Sequence, residues 1–116
     1  MKQYQVIFHL DEEPIDKVTF VLNNIINLLN DLGGSNVEIE LLVNGPAVKA
    51  FKAEESSISE LIKRVQDQDV AIALCNNALN IFELQPEGML PAAIVVPSGV
   101  GELVRKQAEG WAYIRP

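Results

Sequence analysis

Two short runs, VAIALC at residues 70–75 and AAIVVP at 92–97, are apolar at consecutive positions with no polar alternation. A strand of that kind has no face to give to water, so it belongs in a sheet covered on both sides. Sheets covered on both sides are built from β-strand, helix, β-strand crossovers, and the rest of the chain supplies the helices. Ile15, Val18, Leu22, Ile25, Ile26, Leu29 and Leu32 recur at spacings of three and four, which is one helix face. Asp11, Glu12 and Glu13 lead into Pro14 as first-turn proline, and Gly33-Gly34 ends the pattern.

The remaining segments fall into the same rhythm. YQVIFHL (4–10) predicts a strand, rich in aromatic and β-branched residues. NVEIELLVNGP (36–46) alternates Val37, Ile39, Leu41 and Val43 with Glu38 and Glu40, which predicts a strand near a sheet edge with one face partly open to water. Pro46 can open a short helix through Phe51, and Ser56 or Ser57 caps a second amphipathic helix carrying Ile58, Leu61, Ile62 and Val65. A short helical turn follows VAIALC, SGVGELVRKQAEG (98–110) predicts a further helix, and WAYIR (111–115) a last short strand. The expected fold is a single domain over residues 1–116, a three-layer α/β/α sandwich with a mainly parallel five-stranded sheet.

Composition narrows the function. A formal charge of −7 opposes binding to nucleic acid, which needs a basic surface. The adjacent pairs Lys63-Arg64 and Arg105-Lys106 are expected on solvated helix faces. No segment approaches the roughly 20 apolar residues of a membrane span, and the amino terminus lacks a secretory h-region. A soluble cytoplasmic protein without a membrane partner is expected. Its single cysteine rules out an intrachain disulfide and a Cys-rich zinc site. Neither a metal nor a cofactor is expected, since P-loop, HExxH and calcium-loop patterns are missing and the GVG of 99–101 is not continued to GxGxxG.

In an open α/β sheet, sites form outside the carboxyl ends of the strands. Those ends carry His9, Asn44, Cys75 with Asn76 and Asn77, and Ser98 with Gly99 and Gly101. Two roles are open to Cys75. At a strand-to-helix junction, nearby N–H groups favour a nucleophilic thiolate; alternatively, free cysteine fills a core as a small hydrophobe. His9 is a base or hydrogen-bond partner for such a thiol, or a structural residue; imidazole exchanges protons near neutral pH. Asn76 and Asn77 are candidate caps of the following helix, and the GVG start is a candidate cradle for a nucleotide or small anion.

The junction IALCNNAL, the amino-terminal YQVIFHLDE and the tail SGVGELVRKQAEGWAYIRP together resemble the DsrE/DsrF-like family, also described by the YchN-like fold, over essentially the whole chain. The resemblance implies a homo-oligomer, commonly a trimer or hexamer, and a role in sulfur trafficking. It places Cys75 at the family's acceptor position, where sulfur is held as a persulfide between sulfur-donor and sulfur-acceptor proteins. His9, Asn44, Asn76, Asn77, Ser98, Gly99 and Gly101 would then shape the pocket. The opposing expectation is a non-catalytic oligomeric binding or scaffold protein with Cys75 buried and EGWAYIRP at a subunit interface.

Overall fold

The computed structural model describes residues 2–116. Its elements are β1 (Tyr4–Leu10), α1 (Ile15–Leu32), β2 (Val37–Val43), a 3₁₀ segment (Gly45–Phe51), α2 (Ser59–Gln66), β3 (Ala71–Cys75), α3 (Asn76–Ile81), a 3₁₀ turn (Pro86–Gly88), β4 (Ile94–Val96), α4 (Gly99–Ala108) and β5 (Ala112–Ile114). The five strands form one sheet in the order β4-β3-β2-β1-β5, every pairing parallel. The expected α/β/α sandwich is therefore the fold of this protein.

Strand alternation divides the core in two. Val6, Phe8, Leu10, Val37, Ile39, Leu41, Val43, Ile72 and Leu74 point to one face and pack with the apolar stripes of α1 and α2, among them Val18, Leu22, Ile25, Ile62 and Val65. Ile7, Leu42, Ala73 and Val96 point to the other, where Leu103 of α4 and Trp111 cover them. Three helices thus protect one face and a single helix the other. α1 stops at Gly33, whose N–H still donates to the Leu29 carbonyl and whose φ of 88° then turns the chain out of the helix. Pro14 sits one position outside α1, as its N-cap, rather than in the first turn.

Two expectations about strand position are corrected. β2 lies at the centre of the sheet, not near an edge. Its glutamates reflect the thin side of the sandwich: Glu38 lies beyond the reach of α4 and is exposed, whereas Glu40 is buried beneath it. Conversely, β4 is an edge strand with Ile94 and Val95 exposed, although its run is as apolar as that of β3. Ser56 and Ser57 are not the N-cap of α2, which is Ile58; instead Ser56 N–H donates to Ser59 Oγ at 2.8 Å, tying the turn just before the helix.

Candidate functional site

The carboxyl ends of β1, β2 and β3 are level in the sheet, since Leu10 pairs with Val43 and Val43 with Leu74. Counting by twos along the strands brings His9, Asn44 and Cys75 to the side covered by α4. The polypeptide leaves β4 through Pro97 and Ser98 and starts α4 directly over this row. Ser98 caps the helix, its Oγ accepting from Gly101 N–H at 3.1 Å.

Cys75 is 6% exposed, and its Sγ accepts the backbone N–H of Gly99 at 3.3 Å. The donor facing the thiol is thus the first residue of α4, a helix remote in sequence, and not the start of α3. Gly99 is there because nothing larger fits. A Cβ on it would lie 3.0 Å from Asn44 Cβ, 3.2 Å from Leu42 Cδ1 and 3.3 Å from Cys75 Cβ. The absent side chain is what lets the helix amino terminus reach the sulfur. An N–H at a helix start is a good partner for sulfur bearing negative charge.

His9, 8% exposed, anchors the neighbouring half of the row. Its Nε2–H donates to Asn44 Oδ1 at 2.9 Å, and its Nδ1 accepts from the Tyr113 hydroxyl at 2.7 Å. A polar chain therefore runs Tyr113, His9, Asn44, and Asn44 abuts Gly99 next to Cys75. No hydrogen bond joins His9 to Cys75 among the described residues, so His9 orients Asn44 rather than serving as the partner of the thiol. Tyr113→Phe removes the Nδ1 partner of a buried imidazole, and urea unfolding should show about 1 kcal/mol of lost stability.

The other expected residues divide. Ser98 and Gly99 belong to the site through the cap and the sulfur contact. Gly101 contributes only its N–H to that cap, so two of the three N–H groups of the GVG start are already committed within the chain. Asn76 and Asn77 make up the first turn of α3, half-buried and exposed respectively; the N-cap is Cys75 itself, and no side chain caps this helix. Tyr113 went unnoticed in the sequence because its place beside His9 depends on β5 pairing with β1, a pairing of strands about a hundred residues apart. Trp111 is not free for a partner: it is buried, with Lys106 Nζ 4.5 Å above its ring.

A second polar cluster lies on the same side of the sheet, under α4. Glu40 (4% exposed) and Glu102 (7% exposed) bring their carboxyl groups within hydrogen-bonding reach. Lys106 Nζ stands 3.7 Å from Glu40 Oε1, and Arg105 holds Glu102 Oε1 at 3.1 Å. Burial, then the Glu102 carboxyl, pushes Glu40 up to about 8. The hydrogen bond from Glu40 holds Glu102 below the usual carboxylate range, with help from Arg105 and Lys106.

An all-parallel α/β/α domain with one thiol held against a helix amino terminus at the carboxyl edge of its sheet is the class these features define. The chain belongs to the DsrE/DsrF-like family, which it matches over residues 2–116. Among solved structures it is similar to the protein of unknown function MTH1491 from Methanobacterium thermoautotrophicum, with 36% identity, 97% of this chain and 99% of that chain covered, and a TM-score of 0.90. It shares its fold with the YchN protein from E. coli at 14% identity, with both chains covered in full and a TM-score of 0.75. No curated protein matches it. None of the helices among the described residues is long and apolar enough to cross a membrane.

Proposed function

We propose that this protein is a sulfur carrier that holds sulfane sulfur as a persulfide on Cys75, in keeping with its family's association with sulfur relay. The observation that carries this reading is the Gly99 N–H directed at Cys75 Sγ from the start of α4. The Cys75 thiolate attacks the outer sulfur of a donor persulfide. The donor S–S bond breaks, the donor leaves as a thiolate, and the sulfur stays on Cys75 with no net oxidation. A second thiol reverses the exchange and takes the sulfur onward. In this reading the protein works in the cytoplasm as a homo-oligomer, a trimer or hexamer, with sulfur-donor and sulfur-acceptor proteins as its partners. The exposed apolar residues Ile94, Val95, Val100 and Val104 support an interface between subunits.

Intact-mass measurement after exposure to polysulfide or a persulfidated protein donor tests the reading. One added sulfur, about 32 Da, is expected on the native protein and not on Cys75→Ser. Absence of the adduct with every donor overturns the proposal. The burial of Cys75 favours one competing reading, an oligomeric scaffold with a structural cysteine. That reading holds if a small alkylating reagent modifies Cys75 only after denaturation, and fails if the native thiol reacts.

A further inference from the structure

The Glu40–Glu102 pair is not needed by the sulfur chemistry, yet it lies between β2 and the helix that holds the sulfur's hydrogen-bond donor. Its geometry is unusual on its own terms. Glu40 Oε2 is fully buried and has no donor among the described residues, and a carboxylate oxygen can only accept. The one cation near Glu40, Lys106, approaches the other oxygen at 3.7 Å, while Arg105 is engaged with Glu102. No further charge faces the pair from the neighbouring strands: the sheet register places Ile7 of β1 and Ala71 of β3 beside Glu40. Glu38, two residues back on the same side of β2, is exposed and accepts from Gln5. Tyr113, across Ile7 on β5, gives its hydroxyl to His9. The polar group left to satisfy the orphaned oxygen is the facing carboxyl of Glu102, and two carboxyl groups satisfy each other only with a proton between them.

We propose that Glu40 and Glu102 share one proton that locks α4 onto the sheet, so that its release to solvent loosens the helix and frees Cys75 from Gly99. The device is a pH-sensitive clasp. Protonated, it joins β2 to the first turns of α4, keeps Gly99 N–H on the sulfur and keeps the thiol covered. Deprotonated, it leaves two carboxylates facing each other in a buried position with only Lys106 and Arg105 to offset them. As regulation of the Cys75 site the clasp rests on the sulfur-carrier reading; as a property of α4 it does not.

The sign follows from comparing closed and open helix. Open, Glu40 is in water and ionises as an ordinary glutamate; closed, it keeps its proton to higher pH, as its elevated titration indicates. Opening therefore releases a proton and becomes easier as pH rises between those two limits, by at most about tenfold per pH unit.

Native-state amide hydrogen exchange of α4, corrected for the intrinsic rate at each pH, reads this directly. The opening constant of the helix is expected to rise tenfold or more between pH 5 and pH 8 in the native protein. It should stay flat in Glu40→Gln, whose amide cannot ionise. Should that variant fold poorly, Glu102→Gln supplies the second measurement: its amide can donate to ionised Glu40, so the slope is reduced, burial alone still favouring the protonated form. A flat profile in the native protein, or an undiminished slope in a folded variant of either residue, overturns the proposal. Neither result touches sulfur loading, which is read by mass on Cys75, so the clasp and the sulfur carrier can fail separately.

Discussion

Gly99→Val is expected to cost about 3 kcal/mol in urea unfolding, the range of an overpacked core site. Even the first carbon of the new side chain meets Asn44 Cβ at 3.0 Å and Leu42 and Cys75 at 3.2 and 3.3 Å. Leu42 is fully buried in the centre of the sheet and cannot give way, so α4 has to move outward. The movement breaks the 3.3 Å contact between Gly99 N–H and Cys75 Sγ and opens the thiol to solvent. Alkylation of Cys75 in the native state should therefore become faster as stability falls. Gly88→Ala is the matched control: nothing lies within 4 Å of the added carbon, and a change within about 0.5 kcal/mol is expected. A tolerated Gly99→Val with an unchanged alkylation rate would show that close packing at α4's start does not cover the sulfur.

Global stability should fall as pH rises from about 5 to 8, and Glu40→Gln should remove most of that fall. Glu40 titrates near 8 when folded against an ordinary value of 4.5. Between these values the folded protein holds a proton that the unfolded chain has lost, so each rise in pH favours unfolding. The contribution is fully present below the ordinary value and is gone above the folded one. Full linkage amounts to about 1.4 kcal/mol per pH unit. With partial screening by Lys106 and solvent, a total on the order of 2–3 kcal/mol is expected. Glu102 has the opposite sign, since its carboxyl is held below the usual range: its contribution is lost only as pH falls through that lower value. Histidine also exchanges protons between pH 5 and 8, so it is the difference between the protein and Glu40→Gln in this window that isolates Glu40. Urea unfolding of the two proteins side by side at pH 5.5 and pH 8 measures the difference.

How far the sequence reaches differs from element to element, for physical reasons. Apolar spacing placed α1, and the unbroken VAIALC run placed β3, because periodicity is a local consequence of which face is buried. The same logic misplaced β2 and β4. Glu38 and Glu40 suggested an edge, yet β2 is central; the thin cover of α4 leaves one glutamate exposed and buries the other against Glu102. AAIVVP suggested a strand buried on both faces, yet β4 closes the sheet with Ile94 and Val95 exposed. Polarity along a strand records what covers each face, and that cover is set by elements remote in the chain.

By itself the sequence determined the alternation of strands and helices, the parallel sheet that alternation requires, and the row of polar residues at its carboxyl edge. Chain connectivity sufficed for these, because βαβ crossovers put every strand's carboxyl end on the same side. Only the tertiary structure decided which of those residues meet. The order β4-β3-β2-β1-β5 sends α4 back across the sheet, and that crossing sets Gly99 on Cys75, Glu102 on Glu40 and, through β5, Tyr113 on His9. These pairs are separated by 24 to 104 positions in the chain. Contacts at such separations depend on strand order and on the absence of one side chain at Gly99, neither of which leaves a local pattern in the sequence.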